Sequence, residues 1–227
     1  MKKRICTLVL WTACLLASPA GAQKTLNKQI WLSDAAKKTL AGTQILYIER
    51  EQYAPDHHNT ATLFQPGEIN EKSFAPGGAM RVFDVDTRTI RTLVETQTGV
   101  VRDPEVSFDG KKIVFSMRKD PKDSYHIYEI NVDGTGLKQL TAIQGVSDID
   151  PLYLPDGGIV FTSTRQPKYC MCNRHIMGNL FRMDGDGANI TQIGVSTLFE
   201  GHASLLSDGR ILYDRKCHLI LTSKGKF

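Results

Sequence analysis

Cys170, Cys172 and His175 form the only dense set of soft metal-type ligands in the 227-residue chain. Two thiolates and an imidazole within one short stretch suit zinc or copper. A fourth ligand is available from His57, His58, His202 or Asp56. The Cys-x-Cys-x-x-His spacing is not that of a zinc finger, and no second Cys pair follows it. Two other chemistries fit the same residues. One is a disulfide or a reactive thiol. The other is a buried, inert cysteine with His175 bonded to a loop carbonyl. His57 and His58 are neighbours in a polar loop, where solvation alone accounts for them. Asp103 and Asp150, each before a proline, read as residues that cap turns through backbone amides.

Other chemistries lack their signatures. There is no Cys-x-x-Cys-His, so the chain carries no motif for covalent c-type haem. There is no Gly-x-Ser-x-Gly, phosphate-binding loop or dinucleotide fingerprint. The Asp-Gly turns lack the spaced acceptors and terminal Glu of a calcium loop.

The elements that must position these residues come from a repeat. DPEVSFDGKKIVFSM begins at Asp103, DPLYLPDGGIVFTST at Asp150 and HASLLSDGRILYDR at His202. The aspartates of the Asp-Gly pairs, Asp109, Asp156 and Asp208, are spaced 47 and 52 residues apart. Each copy reads as a strand, a tight Asp-Gly turn that needs positive φ, and a second apolar strand over Ile113–Met117, Ile159–Thr164 or Ile211–Tyr213. A third strand follows at Tyr125–Asn131 and Asn179–Met183, and a fourth at Leu137–Thr141 and Asn189–Ile193. Four antiparallel strands every 40–50 residues is the pattern of a β-propeller blade. The predicted fold is all-β: a partial β-propeller of four-stranded antiparallel blades, about three and a half of them. Blade one runs from about residue 44 to 94 and takes its innermost strand from elsewhere in the chain. The final copy stops after two strands, and the ending from Lys216 breaks the blade pattern. That combination reads as a truncated or frame-shifted reading frame.

Blade topology places the second-to-third-strand loops on the same end as the entrances to the innermost strands. Arg50–Gly78, with His57 and His58, and Arg165–Gly178, with the cysteines, are such loops. Asp103, Asp150 and His202 read as the entrances. These groups are therefore expected together at the mouth of the channel, where a protein partner or small ligand would sit.

The ends of the chain bound its location. Lys2, Lys3 and Arg4, an apolar Ile5–Leu16 and Ala20-Gly21-Ala22 form a secretory signal peptide over residues 1–22, cleaved after Ala22. The apolar run is too short for a membrane span. Residues 23–42 form a polar segment with a short helix over Ala35–Leu40, capped by Ser33 or Asp34 and stopped by Gly42. Propeller blades occupy 43–215, and 216–227 is an atypical tail. Removing the leader leaves 25 basic against 24 acidic residues, a net charge of +1. Without a basic stripe, nucleic acid is not an expected partner. Three cysteines remain, Cys170, Cys172 and Cys217, an odd number for a periplasmic or secreted protein.

Two resemblances extend this reading. The segments Ser107–Ile113 and Asn131–Thr141 resemble the TolB-type propeller repeat. His57–Thr62, Asp148–Asp156 and Cys170–Gly187 resemble the propeller part of hydrazine synthase alpha subunit-like proteins. The second resemblance implies a periplasmic redox setting in which Cys and His near the mouth ligate metal, with further blades and a haem-bearing portion beyond. This chain departs from that pattern after Asp214-Arg215, where Lys216-Cys217-His218 stands in place of Trp-Glu-Tyr. The expected function is a periplasmic scaffold that binds a ligand or protein without catalysis of its own. The alternative is a metal- or haem-associated oxidoreductase subunit, or a remnant of one.

Overall fold

The computed structural model describes residues 4–7, 33–51, 75–169 and 176–216. His57, His58, Asp56, Cys170, Cys172, His175 and Cys217 lie outside the described residues. Among the described residues one helix of about a turn and a half, α1 (Asp34–Thr39), precedes the blades. Ser33 is its cap: its Oγ accepts the Ala36 N–H at 3.2 Å, and Asp34 and Lys37, Lys38 suit the two dipole ends.

The rest is strand. The first sheet has the order β1 (Arg4–Thr7), β2 (Thr43–Arg50), β3 (Gly78–Asp84), β4 (Thr89–Thr96). The second has β5 (Val100–Val106), β6 (Lys112–Arg118), β7 (His126–Asn131), β8 (Lys138–Gln139). The third has β9 (Asp148–Tyr153), β10 (Ile159–Tyr169), β11 (Ile176–Met183), β12 (Thr191–Gln192). A two-stranded sheet follows, β13 (Phe199–Leu205) with β14 (Ile211–Lys216). These are three four-stranded blades and half of a fourth. The outermost strands β8 and β12 have only two residues each, shorter than the sequence pattern suggested.

Blade one does take its innermost strand from elsewhere. Arg4–Thr7 pairs with Thr43–Leu46, and the pairing is parallel, whereas the inner pairs of the other blades are antiparallel. This strand falls inside the predicted leader. Among the described residues no helix is long and apolar enough to cross a membrane.

The Asp-Gly turns close each inner hairpin. Gly110, Gly157 and Gly209 have φ of 70°, 85° and 85°, while their aspartates do not enter the left-handed region. The glycine N–H returns to the residue three back, as in Gly110 N to Ser107 O at 2.8 Å. The turn is thus a type I turn followed by a left-handed glycine, not a two-residue primed turn. The aspartate caps it: Asp109 Oδ1 accepts the Lys111 N–H and Asp156 Oδ1 the Gly158 N–H.

The core lies between blades. Leu46, Met80 and Val82 of blade one meet Val101, Ile113, Phe115, Tyr128 and Ile130 of blade two. Val114 and Ile127 meet Tyr153, Ile159, Phe161, Phe181 and Met183 of blade three. Ile113 and Phe115 face one neighbour and Val114 the other. A sheet covered on both faces needs an unbroken apolar run rather than alternation, and Ile113–Phe115 is that run.

Candidate functional site

The innermost strands carry the same distortion at the same place. Asp103, Asp150 and His202 have φ of 52°, 60° and 50°. Each lies at a break in strand register, between Arg102 and Glu105, between Ile149 and Leu152, and between Gly201 and Ser204. These are β-bulges. The left-handed conformation costs a non-glycine residue about 1–2 kcal/mol, so something must hold it. The sequence reading put these residues at the strand entrances; the strands start earlier, at Val100, Asp148 and Phe199. The three residues therefore line the inner strands rather than their mouths.

What holds the bulges is a contact from blade to blade. Asp103 Oδ2 accepts the Asp150 N–H at 3.2 Å and Arg102 Nε–H at 2.6 Å. The Asp150 N–H also reaches Ser116 Oγ at 3.0 Å. The Asp150 carboxylate in turn faces the backbone N–H of His202. Asp103 does bond a backbone amide, as its pre-proline position suggested, but the amide belongs to the next blade, not to a local turn.

Burial, and then the nearby Asp103, push the Asp150 pKa up to about 6, against the pull of His202 and Arg102. Burial and Asp150 also raise that of Glu105. His202 breaks the carboxylate series. Its ring lies 5.6 Å from that of Phe199, and its Nδ1 is 3.0 Å from Asp214 Oδ2 in the same half-blade. A carboxylate only accepts, so Nδ1 carries a proton, and in the neutral ring the lone pair is on Nε2.

The cysteine stretch is mounted on an extended hairpin. Arg165–Tyr169, read as loop, continues β10, with Lys168 opposite Met177 and Tyr169 opposite Ile176. Cys170–His175 lies between the ends of that stem. The stem is tied down at several points. Arg165 pairs with the fully buried Asp148, and its guanidinium lies 5.3 Å and 5.9 Å from the ring centres of Phe161 and Phe181. Burial raises the Asp148 pKa, and Arg165 opposes it. Lys168 Nζ donates to the carbonyls of Ser196 and Leu198, and burial lowers its pKa. Asn179 donates to the buried Glu200 at 2.6 Å. Gly178 allows the strands to cross closely: a Cβ there would lie 2.7 Å from Thr162 Cγ2.

Of the sequence-predicted ligands, only His202 falls among the described residues, and its partner is Asp214. Among the described residues no group of three or more His, Cys, Asp or Glu is placed to hold a metal. Sequence reasoning missed Asp148, Glu200 and Asp214. The first two had a signal. The repeat column that reads Val101 in blade two reads Asp148 and Glu200 in the next two copies, and all three are buried. A carboxylate where the repeat wants valine marks an anchoring point.

No family model matches this chain. Over 91 residues it is 32% identical to hydrazine synthase subunit alpha of Kuenenia stuttgartiensis, a match covering 40% of this chain and 11% of that subunit. The solved Kuenenia stuttgartiensis hydrazine synthase superposes with a TM-score of 0.55 and 20% identity, over 75% of this chain and 27% of that one. This chain has the fold of part of hydrazine synthase. TolB from Acinetobacter baumannii superposes with a TM-score of 0.48 and 20% identity, over 60% of this chain and 32% of that one. The chain thus spans a small part of the length of the hydrazine synthase chains it resembles.

Proposed function

We propose that this chain is an exported propeller that holds a ligand or protein partner at the mouth end, on the hairpin that carries Cys170–His175. The observation that carries this reading is the stem of that hairpin. Arg165–Tyr169 and Ile176–Gly178 project past the blade and are pinned by Asp148, Ser196 and Leu198. Among the described residues, the connection of the same class in blade two, 119–125, has no such stem. A buried ion pair spent on an extension the blade does not need supports a role for the tip outside folding.

Replacing residues 170–175 by a short Gly-Ser turn is the direct test. An unchanged melting temperature is expected. A fall of more than about 5 °C, on the order of 1–2 kcal/mol for a domain of this size, would make the tip a structural part of the blade and sink the reading. Export has its own test: N-terminal sequencing of the exported product is expected to start at Gln23, which leaves blade one without the Arg4–Thr7 strand, and a product that retains Arg4–Thr7 sinks the export reading.

The hydrazine synthase likeness favours a second reading, a subunit of a metal-dependent oxidoreductase. In it Cys170, Cys172 and His175 bind zinc or copper, with His57, His58 or His202 completing the set. Elemental analysis of the purified full chain separates the two. Stoichiometric metal that is lost in Cys172→Ser supports the second. A metal-free protein whose folding is unaffected by that substitution leaves the first.

A further inference from the structure

Leu212 is exposed at a position that the other blades bury. Strand pairing puts it level with Val114 and Val160. Each follows the residue that starts its inner hairpin: Ile211 opposite Leu205, Ile113 opposite Val106 and Ile159 opposite Tyr153. Val114 and Val160 are fully buried, whereas Leu212 is 58% exposed. The same count makes Asp214 the counterpart of Ser116 and Thr162, both fully buried. His202 is the counterpart of Asp103 and Asp150, the other left-handed bulge residues. Leu212 and Asp214 are two residues apart and share a strand face. His202 belongs to that face through its bond to Asp214.

In the first three blades this face seats the inner strand of the next blade. Leu46 packs with Val101 of β5, and Val114 with Tyr153 of β9. Thr162 lies against β13, where a Cβ on Gly201 would be 3.0 Å from its Oγ1. In the next two seats the incoming strand is met at its bulge. Asp103 and Ser116 share the N–H of Asp150, and the Asp150 carboxylate faces that of His202. Blade four offers the same pair with the roles exchanged. An imidazole stands at the position of Asp103, and a carboxylate at that of Ser116. Asp214 Oδ2 is engaged by His202 Nδ1 at 3.0 Å, and Oδ1 has no hydrogen-bond partner among the described residues.

We infer that this face of blade four seats the inner strand of a β-blade belonging to a partner protein. The partner's bulge N–H is donated to Asp214 Oδ1, and a large apolar side chain covers Leu212, as Tyr153 covers Val114. The interface thereby continues the one that joins the chain's own blades. A second copy does not offer such a strand. Its β5, β9 and β13 are already seated on faces of their own chain, and β1 runs parallel with no residue of positive φ in Arg4–Thr7.

The test titrates the isotope-labelled full chain with a synthetic peptide of residues 147–154, which spans the β9 strand seated on blade two. The Leu212 methyl and His202 ring resonances are expected to shift saturably, and a scrambled peptide of the same composition leaves them in place. Leu212 is exposed, so Leu212→Asp leaves the fold intact; it weakens binding about tenfold by setting a carboxylate against the apolar contact. The Tyr153→Ala peptide weakens binding to the unaltered chain to a similar degree, and decides alone if Leu212→Asp does not fold. No saturable shift, equal shifts from the scrambled peptide, or affinity unchanged by these substitutions overturns the proposal. A dimer in sedimentation equilibrium that Leu212→Asp dissociates also overturns it, because a second copy then occupies this face.

Discussion

The backbone N–H of Asp150 donates to the Asp103 carboxylate at 3.2 Å, joining equivalent positions of two successive blades. The repeat therefore does more than stack apolar faces. The Asp103 carboxylate holds the bulge of the blade after it. Asp103→Ala removes a charge-assisted acceptor from a part-buried amide that retains Ser116 Oγ as a second partner. The expected loss is about 2 kcal/mol in urea unfolding, with an unchanged m value. A loss below about 0.5 kcal/mol would mean that the interblade bond contributes nothing beyond the Ser116 contact.

Asp150 gives a dependence on pH. Its folded pKa of about 6 lies above the ordinary 3.8. The native state therefore binds a proton more tightly than the unfolded chain does. Stability from this group is fully present below about pH 4 and is lost as pH rises through 6, by about 3 kcal/mol at most. Glu105 and Asp148 shift in the same direction, so the wild-type profile alone does not isolate Asp150. Asp150→Asn does. It should raise the melting temperature at pH 7.5, with the difference from wild type vanishing near pH 4. A constant difference across that range would show that Asp150 does not titrate as its burial dictates.

The blades were legible because their signals are local. An Asp-Gly pair followed by a run such as Ile113–Phe115 marks a hairpin and a strand buried on both faces, whatever lies beside it. The interblade contacts were not legible in the same way. That Asp103 serves Asp150 follows from blades packing at one height around an axis, which no spacing in the sequence states. Arg165 to Tyr169 read as loop because Gln166 and Pro167 interrupt the apolar pattern. The anchors that keep this segment extended, Asp148 and the Ser196 and Leu198 carbonyls, come from distant stretches. The pairing of Arg4–Thr7 with Thr43–Leu46 had no signal at all, since the same residues satisfy the pattern of a leader.

His202 and Asp214 make a spectroscopic prediction. With Nδ1–H directed at Asp214, the neutral ring holds its lone pair on Nε2. At a pH where His202 is neutral, its two ¹⁵N resonances should separate widely, with the unprotonated Nε2 at the imine-like position. Asp214→Asn weakens that preference and draws the two signals together. Equal averaging of the two nitrogens in the wild type would remove the orienting role of Asp214, and with it the idea of Nε2 as a fixed ligand.

The Arg165 and Asp148 pair decides whether the hairpin stem is built in or merely adjacent. Asp148 is fully buried, and Arg165 is its only cationic ion-pair partner among the described residues. Removing the cation alone leaves a fully buried carboxylate without its ion-pair partner. Arg165→Met should therefore cost about 3–5 kcal/mol at pH 7. Asp148→Asn with Arg165→Met should cost less than Arg165→Met alone, because the stranded charge is gone and Met keeps the contact with Phe161 and Phe181. The gap between single and double variants should narrow at low pH, where Asp148 takes up a proton. Additive costs would mean that the two residues act independently, and the stem would then depend on Lys168 and its carbonyl partners instead.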